Sequence, residues 1–358
     1  MTPCTYALLN GDGPTPLFRQ PFDDAEHHGR TMRKVLHVGP CDTPGGMATV
    51  MHTLAEFPPE GWQAELLASH APGGLWAKWR AYRRARRELK RRCSNPTLRP
   101  DIVHVHTAAD WSWRRKARLI RIAQNHAIPT IVHVHSGQFD SWLAKGGDRR
   151  RQQVKNVLSM PQTQTIVLSS AWKERLKPTI GAAEIVGNPF RPLAAPTLVS
   201  REDHQLLLLA RKDPIKGHDF AVDVARNLRK EFPNLRLTMT GETHCEHAWV
   251  EAKGWVSEEE KTSLLARASL LLLPSDFEGQ PVAALEALSA GLPVCVSDRV
   301  IGLPDTVKQT VWGDVEAWTT TVRDMLNNPQ DKATLQSSVA EHAIDRVQQR
   351  WKSVYESL

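Results

Sequence analysis

The feature that most constrains this chain is a rhythm. From Arg33 onward, short aliphatic and β-branched runs ("KVLHVGP", "AELLAS", "DIVHVH", "PTIVHVH", "QTIVLSS") alternate with segments of helical character beginning near Gly45, Leu75, Ser112 and Arg149. The runs are apolar almost throughout, which fits strands covered on both faces. Parallel strands need a long crossover between neighbours, and helical crossovers supply that cover. The pattern therefore predicts an α/β fold on a parallel sheet.

The rhythm breaks once, at the proline-rich "VGNPFRPLAAPTLVSRED", residues 186–203, which reads as a linker. A second alternation follows: "HQLLLLA", a helix after Lys216, "NLRLTMTG", "KGWV", a helix opening near Ser257, "ASLLLLP", a helix within "SDFEGQPVAALEALSAGLPV" and "PVCVSD". Two Rossmann-like domains are expected, over residues 33–190 and 191–335. Residues 1–32 have no clear period and read as a disordered extension. A C-terminal helical piece, 336–358, is expected to pack back on the N-terminal domain.

Charge is concentrated rather than spread. "KWRAYRRARRELKRR", residues 78–92, holds nine basic residues and one acid, against a formal net charge of +7 for the whole chain. Leu75, Trp79, Tyr82, Ala85 and Leu89 form one apolar stripe along the same helix, with Trp76 beside it. A basic amphipathic helix with tryptophans near its start suits an anionic membrane surface. No nucleic-acid-reading motif accompanies the charge, so nucleic acid is not an expected partner. No run reaches the length of a membrane span, and the start of the chain lacks the layout of a secretory signal. Five cysteines without CxxC spacing argue against a disulfide framework or a zinc knuckle. A cytoplasmic location, peripheral at the inner membrane face, is expected.

In open α/β sheets, ligands sit beyond the carboxyl ends of the strands, and four stretches fall there. In "GPCDTPGGMATV", Gly45 and Gly46 open a helix and let the backbone approach an anion; a plain tight turn is the alternative. In "LLLLARKDPIKGHD", Arg211 and Lys216 flank Asp213-Pro214, a layout suited to a diphosphate, although two basic residues in a loop are commonly just solvated. In the stretch 275–294, Pro281 fits the first turn of a helix, Glu278 precedes it, and the amides of Val282 and Ala283 face the site. Glu286 lies about 40° round the helix from Val282, on a face where an unpaired carboxylate is costly, and a ribose diol would satisfy it. Finally, His104/His106 and His133/His135 each share one face of a strand. Such pairs are metal half-sites or, more simply, core histidines; His135 ends its strand just before Ser136-Gly137.

Together these stretches resemble the bacterial family 4 glycosyltransferases, retaining enzymes of the GT-B fold. The similarity runs from about Arg33 to Asp305 and is most specific in "PSDFEGQPVAALEALSAGLPV", which looks like the family's Glu, seven residues, Glu motif with Ala-Gly-x-Pro-Val. "ARKDPIKG" looks like its Arg and Lys loop, and "DIVHVHTAADWSWRRKARL" with "IPTIVHVHSGQF" resembles members that build cell-surface polysaccharides. The resemblance implies an N-terminal acceptor-binding domain and a C-terminal nucleotide-sugar-binding domain facing each other across a cleft. It implies that Glu278 and the backbone of Gly279, Gln280, Pro281 and Val282 hold the transferred sugar, with Glu286 on the ribose and Val256 by the base. Arg211 and Lys216 would neutralise the diphosphate, Gly45 and Gly46 would approach it from the other domain, and His135 would lie near the anomeric carbon. No metal or other cofactor is implied. The substrates would be a UDP- or GDP-sugar and a saccharide acceptor, expected to be lipid-linked because such acceptors match a membrane-docking helix. Ala210, "VGNPF" and Asp305 depart from the family pattern. Gln280 has no assigned purpose beyond a bearing on donor choice. Two rivals remain: a metal-dependent hydrolase on the His-x-His pairs, and a non-catalytic basic member that binds membrane or polymer.

Overall fold

The computed structural model describes residues 32–191 and 201–358; the expected N-terminal extension, up to residue 31, and the middle of the expected linker fall outside them. Strands β1 (Arg33–Gly39), β2 (Trp62–Ala68), β3 (Ile102–Thr107), β4 (Thr130–Val134), β5 (Thr163–Val167) and β6 (Glu184–Ile185) alternate with helices α1 (Gly46–Glu56), α2 (Leu75–Ser94), α3 (Trp111–Asn125), α4 (Phe139–Lys145), α5 (Gly147–Leu158) and α6 (Ser170–Ile180). They form one sheet in the order β2-β1-β3-β4-β5-β6, every pairing parallel.

The second half repeats the plan. Strands β7 (Gln205–Leu208), β8 (Arg236–Met239), β9 (Val250–Ala252), β10 (Leu270–Leu273), β11 (Val294–Ser297) and β12 (Lys308–Thr310) give the order β12-β11-β10-β7-β8-β9, again all parallel. Their helices are α7 (His218–Leu228), α8 (Glu258–Arg267), α9 (Val282–Ser289) and α10 (Val315–Asn327), followed by α11 (Lys332–Ser337) and α12 (Ile344–Glu356). The α/β class and the two Rossmann-like units expected from the rhythm are present.

Period-two alternation divides each sheet between two cores. In the first, Leu36, Val38, Val103, Val105, Val132 and Val134 face α2, α3, α5 and α6, while Val35, Ile102, Ile131 and Ile166 face α1 and α12. In the second, Leu206, Leu208, Leu237 and Leu272 pack on α7 and α10, and Leu207, Leu271, Val294 and Val296 on α8 and α9. Helix α12 is last in sequence yet belongs to the first sheet. Val347, Trp351, Val354 and Tyr355 are buried there, and at roughly 1.5–3 kcal/mol per large buried side chain this anchors it by on the order of 10 kcal/mol.

The sequence pattern misplaced one strand. "KGWV" does not extend the second sheet: β9 ends at Ala252, Gly254 turns the chain at φ 64°, and Trp255 is 69% exposed. A Gly in the left-handed region ends the strand, and the apolar Trp-Val pair that mimicked a strand is instead carried to the cleft. The stripe on α2 also divides. Ala85 and Leu89 are fully buried, whereas Leu75 and Trp79 are 87% and 48% exposed, because the helix outruns the sheet that covers its far end.

Candidate active site

The carboxyl ends of both sheets open onto one cleft of about 390 Å³. Its walls include every residue that the family resemblance assigned to the site, Gly45, Gly46 and His135 from the first unit and Arg211, Lys216, Val256, Glu278, Gly279, Gln280, Pro281, Val282 and Glu286 from the second, but not His104, His106 or His133.

From the first unit comes the β1–α1 turn. Gly45 has φ 142°, a conformation that L side chains rarely adopt, and a Cβ on it would lie 3.5 Å from an Arg211 guanidinium nitrogen across the cleft. A Cβ on Gly46 would meet no atom of the described residues within 4 Å. The space in front of Gly46 is therefore open cleft, as close approach by a ligand requires.

Opposite lies the β7–α7 loop. Asp213 caps the short 3-10 turn Pro214–Lys216 by accepting from the Ile215 amide at 3.2 Å, and it accepts from Arg211 at 2.7 Å. Partial burial alone would raise the Asp213 pKa, but these hydrogen bonds and the Arg211 charge hold it below the ordinary carboxylate range. The loop so fixed carries Lys216 to Glu278, and the two form a short ion pair; Ser275 Oγ donates to the same carboxylate oxygen at 3.0 Å. With both side chains largely withdrawn from water, breaking this pair without substitute partners is costly. A molecule that separated the pair would have to offer an anion to Lys216 and hydrogen-bond donors to Glu278.

Helix α9 points its N-terminus into the same cleft. Ala284 is the first amide to bond within the helix, so the amides of Val282 and Ala283 are left at the cleft end. Glu286 is 4% exposed and has a protein partner that sequence reading missed: Lys261, on α8, donates to it at 2.7 Å and also pairs with Glu258 at 2.7 Å. Burial pushes the Glu286 pKa above the ordinary carboxylate range, with Lys261 opposing. Burial would favour a neutral Lys261, but Glu286 and Glu258 hold its ammonium above the usual range. Lys261 follows the three acids of the first turn of α8, and no local periodicity reports a partner 25 residues away.

Two close backbone approaches join the halves. A Cβ on Gly137 would lie 2.2 Å from the Glu278 carbonyl oxygen, and one on Gly279 2.0 Å from that of His135. Only glycine lets the strand end bearing His135 and the loop bearing Glu278 touch backbone to backbone. Trp172 Nε1 donates to the Gly279 carbonyl at 2.6 Å. Gln280, unexplained from sequence, lies here with its side chain turned from the cleft into the joint. Its Oε1 accepts from the Asn188 amide at 2.7 Å, its Nε2 donates to the carbonyls of Leu168 and Gly302 at 3.3 Å, and its own carbonyl accepts from Asn188 Nδ2 at 2.8 Å. Gln280 and the "VGNPF" joint are thus parts of one strut.

His135 ends β4 at the cleft. Its Nε2 lies 2.9 Å from Nδ1 of His106, and burial, aided by the Lys116 charge, lowers its pKa to about 3. The other sheet histidines face inward. His104 contacts His133 at 3.3 Å and the Tyr355 hydroxyl at 3.1 Å, so α12 covers them.

Comparison with known proteins agrees with this geometry. Residues 203–328 match the family described as "Glycosyl transferases group 1", and residues 64–189 match "Glycosyltransferase Family 4". A glycogen synthase of Mycobacterium tuberculosis is 27% identical over 281 residues, covering 69% of this chain and 65% of that protein; the chain thus spans about two thirds of that relative's length. A GDP-mannose-dependent phosphatidylinositol monomannoside mannosyltransferase of Mycolicibacterium smegmatis is 30% identical over 172 residues, 40% of this chain and 44% of that one. In structure, a sucrose-phosphate synthase from Thermosynechococcus elongatus superposes with a TM-score of 0.63 at 14% identity, covering 91% of this chain and 97% of that one. A pneumococcal O-GlcNAc transferase, GtfA, in complex with UDP and GlcNAc gives 0.58 at 15% identity, covering 76% and 59%. With both halves matched by glycosyltransferase families and the GT-B arrangement shared with solved structures, the chain belongs to the family 4 glycosyltransferases.

Proposed function

We propose that this protein moves a sugar from a nucleoside-diphosphate sugar to a saccharide acceptor, with retention at the anomeric carbon. The observation that carries the reading is the paired Lys216 and Glu278 at the mouth of the cleft, opposite the open space before Gly46. A nucleotide sugar answers both partners: its diphosphate replaces Glu278 at Lys216, and its sugar hydroxyls replace Lys216 at Glu278. Arg211 sits beside the same space and, with the free amides of α9, adds positive potential where charge grows on the departing diphosphate. These groups take the part a divalent ion plays elsewhere, so activity should persist in chelator. Trp255 and Val256 line the cleft near Glu286 and Lys261, a setting suited to a nucleoside. The M. smegmatis relative is named for GDP-mannose and the GtfA structure holds UDP, so both donor classes belong in the test.

The acceptor is proposed to be lipid-linked, at the inner membrane face, in polysaccharide or glycoconjugate synthesis. Leu75, Trp76 and Trp79 protrude from the start of α2, with Trp76 73% exposed, and Trp111 at the start of α3 is also exposed. The arginines of α2 lie along the same surface. Apolar side chains framed by basic ones suit the headgroup region of an anionic bilayer. The hydrolase alternative is not favoured: the family matches point to transfer, and the inward-facing histidines are shut in by α12.

A panel of UDP- and GDP-sugars, assayed for slow donor hydrolysis with and without chelator, tests the reading without an acceptor. Glu278→Gln, which keeps an acceptor for Lys216 but not the charge, should lose turnover at least ~100-fold while remaining folded by circular dichroism. Parental turnover in that variant removes the assignment. Sedimentation with anionic vesicles tests docking, and unchanged binding after Trp76→Ser and Trp79→Ser would end the membrane proposal.

A further inference from the structure

Five histidines, His37, His104, His106, His133 and His135, occupy one face of the first sheet. Strand register sets His37 beside His104 and His106 beside His133, and all but His135 are fully buried. Ligand nitrogens of two overlapping triads, His37/His104/His106 and His106/His133/His135, lie within 4.8 Å of one another, which raises the question of a metal. Two nitrogens bound to one tetrahedral ion at about 2.0–2.1 Å stand about 3.3–3.4 Å apart. The contacts from His37 Nδ1 to His106 Nε2 and from His106 Nδ1 to His135 Nε2 are both 2.9 Å. That is hydrogen-bond spacing, and it links the three rings head to tail.

We propose that His37 and His106 are positioning residues that lock His135 in its Nδ1-protonated tautomer and aim that N–H into the cleft; this role rests on the sugar-transfer reading. Each neutral imidazole has one donor and one acceptor nitrogen, so fixing the proton on one ring of the chain fixes it on all three. The far end decides the direction. His37 is 1% exposed, whereas His135 lines the open cleft, where an N–H finds acceptors. A buried nitrogen lone pair is tolerated better at His37 than a buried N–H without an acceptor. The protons therefore sit on Nδ1 of His37, His106 and His135, and each N–H points toward the cleft. Desolvation keeps all three rings neutral. The main chain of His135 is held as well, its amide donating to the Thr107 carbonyl at 2.9 Å, so the chain of rings removes the freedom that remains. The result is a neutral donor for a sugar or phosphate oxygen that needs no titration to work.

The test uses the full chain labelled with ¹⁵N-histidine. Nitrogen shifts should report Nδ1–H tautomers for the three rings, with couplings across both nitrogen–nitrogen hydrogen bonds. His106→Leu should release the His135 tautomer and lower kcat for nucleotide-sugar hydrolysis about tenfold or more, with KM within about twofold. His106→Asn, whose amide can stand where Nδ1 stood, should restore both the shift and most of kcat. A proton on Nε2 of His135 in the parent overturns the proposal, as does stoichiometric zinc uptake that abolishes the couplings. Unchanged kcat in a His106→Leu protein with a released tautomer overturns the positioning role. Should the leucine variant not fold, the parent spectrum and the asparagine variant still decide. If no nucleotide sugar is turned over, the sugar-transfer reading and the catalytic role fall together, and the couplings alone decide whether the chain of rings exists.

Discussion

Acidification below pH 6.5 should unfold this protein unusually steeply. Burial lowers the pKa of His37 and His135 to about 3, and those of His104, His106 and His133 well below the ordinary value. In the unfolded chain each returns to about 6.5. Below that pH the unfolded state binds more protons than the folded one, so stability is fully present above 6.5 and is lost as pH falls. At pH 5 each ring kept neutral costs about 2 kcal/mol relative to neutral pH, or about 10 kcal/mol for the five. That rivals the roughly 5–15 kcal/mol stability of a typical domain. Lys116, lowered to about 7 by burial, adds up to one proton of slope near pH 8 and little by pH 5. His70, lowered to about 4 by burial, and His342, lowered by burial, act in the same direction. Glu286, raised by burial, opposes by at most one proton. Glu88, held down at about 2 chiefly by Arg91, acts below the window. The assay is urea unfolding at fixed ionic strength from pH 8 to pH 5, followed by tryptophan fluorescence. The expected limiting slope is about 6–7 kcal/mol per pH unit, and His133→Leu should reduce it by about 1.4. A midpoint flat to pH 5, or a slope below that of two protons, refutes the claim that the cluster is locked neutral.

Two further outcomes follow from the cleft. Gly46→Val places a side chain in space the protein leaves open, so UDP and GDP affinity should fall at least ~10-fold with the unfolding midpoint unchanged; a titration like the parent's would remove Gly46 from the site. Gln280→Ala strips partners from the buried Asn188 amide and from two carbonyls. It should cost about 1–3 kcal/mol of stability, measured by denaturant, and a change in donor preference at full stability would show that Gln280 reads the donor instead.

Much of the site was legible in the sequence because its parts are local. Gly45-Gly46, the Arg211 to Lys216 loop and the Glu278 to Glu286 stretch each follow a strand, and α/β topology sends all such loops to one edge. Glu286 was recognisable as a carboxylate on an apolar face. The expected ribose was one answer to it, and the structure supplied another partner, Lys261. Gln280 offered no clue, since its partners Asn188 and Leu168 lie 92 and 112 residues away.

The sequence by itself determined the two parallel sheets and the edge where chemistry gathers, because hydrophobic period and turn residues act over a few neighbours. Tertiary structure alone decided which groups meet. It split the α2 stripe between core and surface and turned two His-x-His strands plus His37 into a continuous row of rings. Period says which face a side chain takes; the identity of its partner depends on strand order and register, which bring together residues that share no local pattern.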